Sequence, residues 1–165
     1  MSDVNAFEAK KIELNEQGFC LCRLPLSSAM INSIRREDWP VLDNEVFKYL
    51  SAEGPWRKLL SRFTTIKSTE HIIAIRDAAN EFEEDGIWHD DGSRVLAFSL
   101  SLTFNSRNII GGLLGFRIKG SQHFEQIPTP LIGTAIIFKT GVSGYEHKIH
   151  QLTQGRRIII AGWLS

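Results

Sequence analysis

Between residues 95 and 104 the side chains alternate in size. Leu96, Phe98, Leu100, Leu102 and Phe104 form a large apolar face, and Val95, Ala97, Ser99, Ser101 and Thr103 form a small, partly polar one. A period of two predicts a strand. These two faces suit a barrel wall: the large side packs, and the small side leaves room for a cavity lined by hydroxyls. Further β-rich runs lie at 70–76, 113–118 (behind Gly111 and Gly112), 133–139, 146–152 and 157–163, separated by glycine and proline turns. Short strands spaced in this way indicate a sandwich or jelly roll. The earlier part of the chain reads differently. Residues 18–24 form a short strand stopped by Pro25, and Ser27 or Ser28 can cap a helix running to about Glu37. Asp38-Trp39-Pro40 breaks that helix, Asp43 can cap a second over 45–52, and Gly54-Pro55 ends it. In a third stretch, 56–63, Trp56, Leu59, Leu60 and Phe63 share one helical face and so belong to the core. The expected class is α+β: one domain over 1–165, with an N-terminal helical buttress (about 1–68) supporting a double-stranded β-helix, or jelly roll (about 70–165).

Composition narrows the function classes. A chain of 165 residues with 42% hydrophobic content can bury one sizeable core. Its 19 basic and 19 acidic residues cancel, which removes the broad positive field that favours nucleic acid. The charged N-terminal segment lacks an apolar signal core, and no apolar run is long enough for a bilayer. Cys20 and Cys22, the only cysteines, form neither a CxxC motif nor a zinc set. They read as packed thiols in a reducing cytoplasm.

Candidate chemistry begins at Trp88-His89-Asp90-Asp91-Gly92. On a strand, positions i and i+2 share a face, so His89 and Asp91 can grip one ion while Asp90 points away. A His-x-Asp pair in an acidic stretch is permissive by itself. Its weight comes from a later histidine and from Arg157 on the next predicted strand. His147 and His150 compete for the third position; three apart, they face opposite sides of a strand, so only one can enter. Two imidazoles and a carboxylate hold one face of a ferrous ion and leave positions open for an anionic oxo-acid and O2. Structural zinc takes four protein ligands, often cysteines, and neither cysteine lies near this cluster in the chain. A guanidinium fork pairs with a carboxylate, so Arg157 points to a carboxylate cosubstrate. His71 and His123 have no metal-type neighbours and read as surface or hydrogen-bonded residues.

Several motifs in order resemble the iron(II)/2-oxoglutarate dioxygenases, specifically their prolyl 4-hydroxylase-like branch. They are Trp88-His89-Asp90-Asp91, Thr103-Phe104-Asn105, Gly111-Gly112-Leu113-Leu114, and Pro130-Leu131-Ile132-Gly133 with Phe138. His147 then precedes Thr153-Gln154-Gly155, Arg157 and Trp163. The resemblance covers about residues 70–165 and implies the double-stranded β-helix. It also implies His89, Asp91 and His147 as iron ligands, selecting His147 over His150. Arg157, rather than Arg156, is implied to bind the distal carboxylate of 2-oxoglutarate. Thr103 stands where the family has a tyrosine that adds to this clamp. Ile159 stands where many relatives carry Ser or Thr, leaving the clamp more dependent on Arg157.

The implied reaction is hydroxylation of a C–H bond in an amino acid, peptidyl residue or small metabolite, using Fe(II), O2 and 2-oxoglutarate and releasing succinate and CO2. Ascorbate is the expected reductant in vitro. Asp91 argues against halogenation, because halogenating relatives replace this carboxylate with a small residue. Trp88, Arg94 and Asn105 are the expected substrate-side residues, and the loops 81–86 and 121–129 are candidate lids. Two alternatives follow from the same residues. An AlkB-like oxidative dealkylase usually shows a second arginine six positions after the clamp, where this chain has Trp163. A non-catalytic jelly-roll binding protein predicts an incomplete triad or a missing clamp, whereas all four positions are filled here.

Overall fold

The computed structural model describes residues 13–165; the first part of the charged N-terminal segment lies outside the described residues. In chain order the elements are β1 (Phe19–Arg23), α1 (Ser28–Arg36), α2 (Trp39–Leu50), α3 (Pro55–Leu60), β2 (Thr69–Asp77) and β3 (Leu96–Ser101). There follow β4 (Ile110–Gly111), β5 (Leu114–Ile118), β6 (Glu125–Ile127), β7 (Thr134–Lys139), β8 (Tyr145–Ile149), β9 (Leu152–Gln154) and β10 (Arg156–Leu164).

Local chemistry sets the helix ends. The Ser27 hydroxyl accepts the Met30 N–H at 3.1 Å, and Glu37, in the left-handed conformation at φ 54°, closes α1. The expected break at Asp38-Trp39-Pro40 is instead the start of α2. Asp38 caps the Val41 N–H, and Pro40 sits in the first turn, where its missing N–H costs no hydrogen bond. Asp43 is therefore inside the helix and not its cap. The third helix stops at Leu60, shorter than its apolar stripe suggested; Phe63 still packs on the core from the following turn.

The strands form two layers. The major sheet has the order β1-β7-β3-β10-β2, with antiparallel neighbours throughout. The second layer contains β6-β5-β8 and the short pair β4-β9. This is the expected jelly roll with helices behind it. The helices pack on the outer face of the major sheet. Met30, Ile34, Leu42, Val46, Leu50, Trp56 and Leu60 bury against Leu96, Phe98, Leu100, Ile160 and Leu164. Each such side chain contributes roughly 1.5–3 kcal/mol of burial free energy. The Trp56 indole N–H donates to the Pro25 carbonyl at 2.7 Å, which leaves its polar atom satisfied inside the core. A second core, with Phe19, Leu114, Phe116, Ile136, Phe138 and Ile149, fills one end of the space between the layers. No helix among the described residues is long and apolar enough to cross a membrane.

Register decides what faces the remaining space. Arg157 pairs with Arg76, Ile159 with Ala74 and Ser101, and Ala161 with Ile72 and Ser99. Directly opposed residues share a face. The small face of β3 therefore points inward beside Arg157, and the large face points to the helices, as the alternation predicts.

Candidate active site

His89, Asp91 and His147 offer ligand atoms that all lie within 4.8 Å of one another. His147 comes from β8. His89 is not in a strand; it makes a single antiparallel bridge to His147, with N–H···O distances of 3.0 and 2.9 Å in the two directions. Opposed bridge partners project to one side, and the two rings sit 4.3 Å apart between centroids. The expected strand for His89 and Asp91 is thus reduced to one bridge, and Asp91 is placed by a different contact. The Thr140 hydroxyl, at the end of β7, donates to Asp91 Oδ2 at 2.9 Å and accepts the Asp91 N–H at 3.1 Å. Thr140 is fully buried. Asp90 points away, as expected, and binds Lys119 at 2.7 Å.

Local contacts and burial bear on the two imidazoles. His89 Nδ1 lies 3.1 Å from the Ile87 carbonyl, a contact that favours the Nδ1–H tautomer and leaves Nε2 free. Burial lowers the His147 pKa to about 4, more than the Asp91 charge raises it, so the ring is neutral at physiological pH. Its buried Nδ1 has no hydrogen-bond partner among the described residues, and its Nε2 lies 3.7 Å from Asp91 Oδ2. His150 turns outward and meets Gln126 at 2.6 Å, and His71 meets Asp43 at 2.8 Å.

Arg157 stands in the same cavity, a space of about 650 Å³ with its mouth included. It is only 2% exposed. Its Nε donates to the Thr129 hydroxyl at 3.1 Å and its Nη2 to the Ser99 hydroxyl at 3.3 Å. No acidic side chain forms an ion pair with it among the described residues. Burial, with a smaller contribution from Arg76, lowers its pKa to about 10, so it remains charged. A buried guanidinium held by two neutral hydroxyls is a receptor for an anion. Apolar groups line the rest of the cavity, among them Ile72, Leu114, Phe138, Ile159 and Trp163.

Asp91 joins the two histidines without itself lining the cavity, and four further expected residues lie away from it. The Thr103 hydroxyl donates to the Ile158 carbonyl and accepts the Ile158 N–H, both at 3.0 Å. The strand has ended at Ser101, and Thr103 opens onto a separate groove beside α1. Asn105 is exposed in that same groove. Trp88 covers the outside of the second layer, between Arg117 at 4.2 Å and Lys148 at 4.7 Å. Arg94 is held by Glu70 at 2.6 Å. Conversely, Thr140, Thr129, Ser99 and Arg76 enter the site without having been singled out. Only Ser99 carried a signal, as a hydroxyl on the small face of the alternating strand.

No family model matches the chain, and no curated protein matches it. Solved structures do. A Pseudomonas putida prolyl-4-hydroxylase aligns with TM-score 0.58 and 17% identity, over 89% of this chain and 84% of that one. A Trichoplax adhaerens prolyl hydroxylase, in complex with a hypoxia-inducible-factor peptide fragment, gives TM-score 0.60 and 15% identity, over 90% and 84%. The iron and alpha-ketoglutarate-dependent endoperoxidase NvfI gives 0.61 and 12%, over 93% and 80%. The chain has the fold of the iron(II)/2-oxoglutarate oxygenases.

The side chains on this oxygenase fold fit a divalent metal. Two imidazoles and a carboxylate converge, and the buried His147 Nδ1 has no partner among the described residues. The donor set is that of the two-histidine, one-carboxylate facial triad. The anion receptor around Arg157 opens into the same space.

Proposed function

We propose that the chain is an Fe(II)- and 2-oxoglutarate-dependent dioxygenase. Its reaction hydroxylates a C–H bond of an amino acid, a peptidyl residue or another small metabolite, with release of succinate and CO2. The observation that carries this reading is Arg157, a buried cation without an acidic partner among the described residues, in a cavity whose wall also includes His89 and His147 of the metal cluster. A metal site alone does not ask for such a group; a dicarboxylate cosubstrate does.

Each residue then has a role set by its contacts. His89, Asp91 and His147 would hold the metal. Ile87 orients the first imidazole, and Thr140 orients the carboxylate. Arg157 binds the distal carboxylate of 2-oxoglutarate, and Ser99 and Thr129 fix the guanidinium plane. Ile159, Leu114 and Phe138 exclude water along the length of the cosubstrate. Bound iron supplies the O2 activation and C–H oxidation that no side chain here can perform. The peptide complex of the Trichoplax neighbour supports an amino-acid or peptidyl substrate.

The test is succinate release by the purified chain with Fe(II), ascorbate, O2 and 2-oxoglutarate, with and without a substrate panel. Succinate is expected above the level of a His89→Ala, Asp91→Ala double variant. Equal production by the two proteins removes the enzyme reading.

A further inference from the structure

Arg76 is a second cation in the cavity wall, directly opposite Arg157 in the β2–β10 register. The other inward positions on this part of β2 are Ile72 and Ala74. The two guanidinium groups part company. Arg157 reaches toward Ser99 and Thr129, whereas Arg76 reaches toward the loop that leads to His89. Its Nη1 binds Asp85 at 2.5 Å, and both of these side chains are nearly buried, at 12% and 13% exposure. Its Nη2 meets Glu84 at 3.2 Å, and that side chain is 73% exposed. The guanidinium also lies 4.3 Å over the Phe82 ring.

The two carboxylates do different things. Asp85 and Phe82 suffice to fix the arginine and its loop. Glu84 adds a long contact from an exposed side chain, and among the described residues it is the one acidic side chain lining the cavity. An exposed ion pair of this kind is worth little and is easily exchanged. The inner part of the mouth is otherwise apolar, with Ile72, Ile159 and Trp163. We propose that Arg76 recognises a carboxylate on the substrate, and that Glu84 occupies this position until the substrate displaces it. The substrate class is then an apolar-bodied carboxylic acid, oriented with its carboxylate at β2 and its hydrocarbon part toward the His89–Asp91–His147 cluster. This inference rests on the reading of Arg157 as the 2-oxoglutarate clamp.

The test uses the full chain loaded with Zn(II), which prevents turnover, and saturated with 2-oxoglutarate. Hexanoate and its uncharged analogue hexanamide are the probes, followed by calorimetry. Hexanoate is expected to bind at least tenfold more tightly than hexanamide. Arg76→Gln removes this preference, and Glu84→Gln tightens hexanoate at least threefold without affecting hexanamide. Equal binding of the two probes, a preference that survives Arg76→Gln, or competition between hexanoate and 2-oxoglutarate overturns the assignment. Glu84→Gln keeps the Arg76–Asp85 pair, so it decides the matter if Arg76→Gln does not fold. Loss of 2-oxoglutarate binding by the parent protein removes the functional reading instead; the probe preference, measured without cosubstrate, then judges Arg76 by itself.

Discussion

Replacing Thr140 by valine removes one oxygen atom and keeps the shape of the side chain. That oxygen makes two contacts with Asp91, accepting its N–H at 3.1 Å and donating to Oδ2 at 2.9 Å. Thr140 is fully buried, and the Asp91 side chain is 11% exposed, so water can reach the carboxylate only in part. A hydrogen bond to a charged group contributes about 1.5–3 kcal/mol, and a buried donor left unpaired costs about 1–3 kcal/mol. Partial rehydration of Asp91 brings the expected loss for the metal-free protein to roughly 1–3 kcal/mol, or a Tm lower by several degrees. The larger consequence concerns metal. Without Thr140 the carboxylate can rotate away from the two imidazoles, and loss of such an outer partner typically weakens metal binding about 10–100-fold. Calorimetric titration with Mn(II) measures this directly. Thr140→Ser retains the hydroxyl and is expected to recover most of the affinity. If Thr140→Val binds Mn(II) within twofold of the parent protein, Asp91 is not positioned by Thr140 and the account of the site is wrong at that point.

Arg157→Gln is expected to weaken 2-oxoglutarate binding ~100-fold, the loss of about two charge-assisted hydrogen bonds; calorimetry that shows retained affinity places the cosubstrate elsewhere. His147 has a folded-state pKa of about 4 against 6.5 for the free side chain, so the unfolded chain binds more protons between these values. The stability associated with its neutral form is present above pH 6.5 and is lost as pH falls toward 4, by about 3 kcal/mol. Denaturant titrations of metal-free protein across that window should show this slope, and His147→Gln should flatten it. Trp56→Ala empties the centre of the helix–sheet core, where the side chain is fully buried, and should cost about 3–5 kcal/mol; an unchanged Tm would show that the buttress contributes little.

Much of the architecture was readable from local pattern. The alternation over 95–104 predicted both the strand and the side of it that faces a cavity, because a period of two assigns faces without knowledge of the partner strand. The end of that strand was not readable. Thr103 continues the alternation, yet its hydroxyl is taken by the Ile158 backbone, because the chain leaves the sheet after Ser101. The start of α2 was not readable either, because a proline that breaks a helix interior is favoured in its first turn. His150 and His147 differ by the face each presents, and parity separated them only into alternatives; the bridge to His89 brings His147 into the cluster.

The linear chain already carries the ingredients: the ordered motifs, the two-faced strand, the triad residues and Arg157 ten positions after His147. Tertiary structure decided which groups support them. Thr140 lies 49 residues from Asp91, Ser99 lies 58 from Arg157, and Arg76 faces Arg157 across a sheet register. Such pairs leave no local trace, because a hydrogen bond between distant segments depends on how strands cross and align, not on any periodicity within one segment. The same register turned Arg76 from one surface-type residue among many into a cation in the cavity wall, where its charge bears on the substrate.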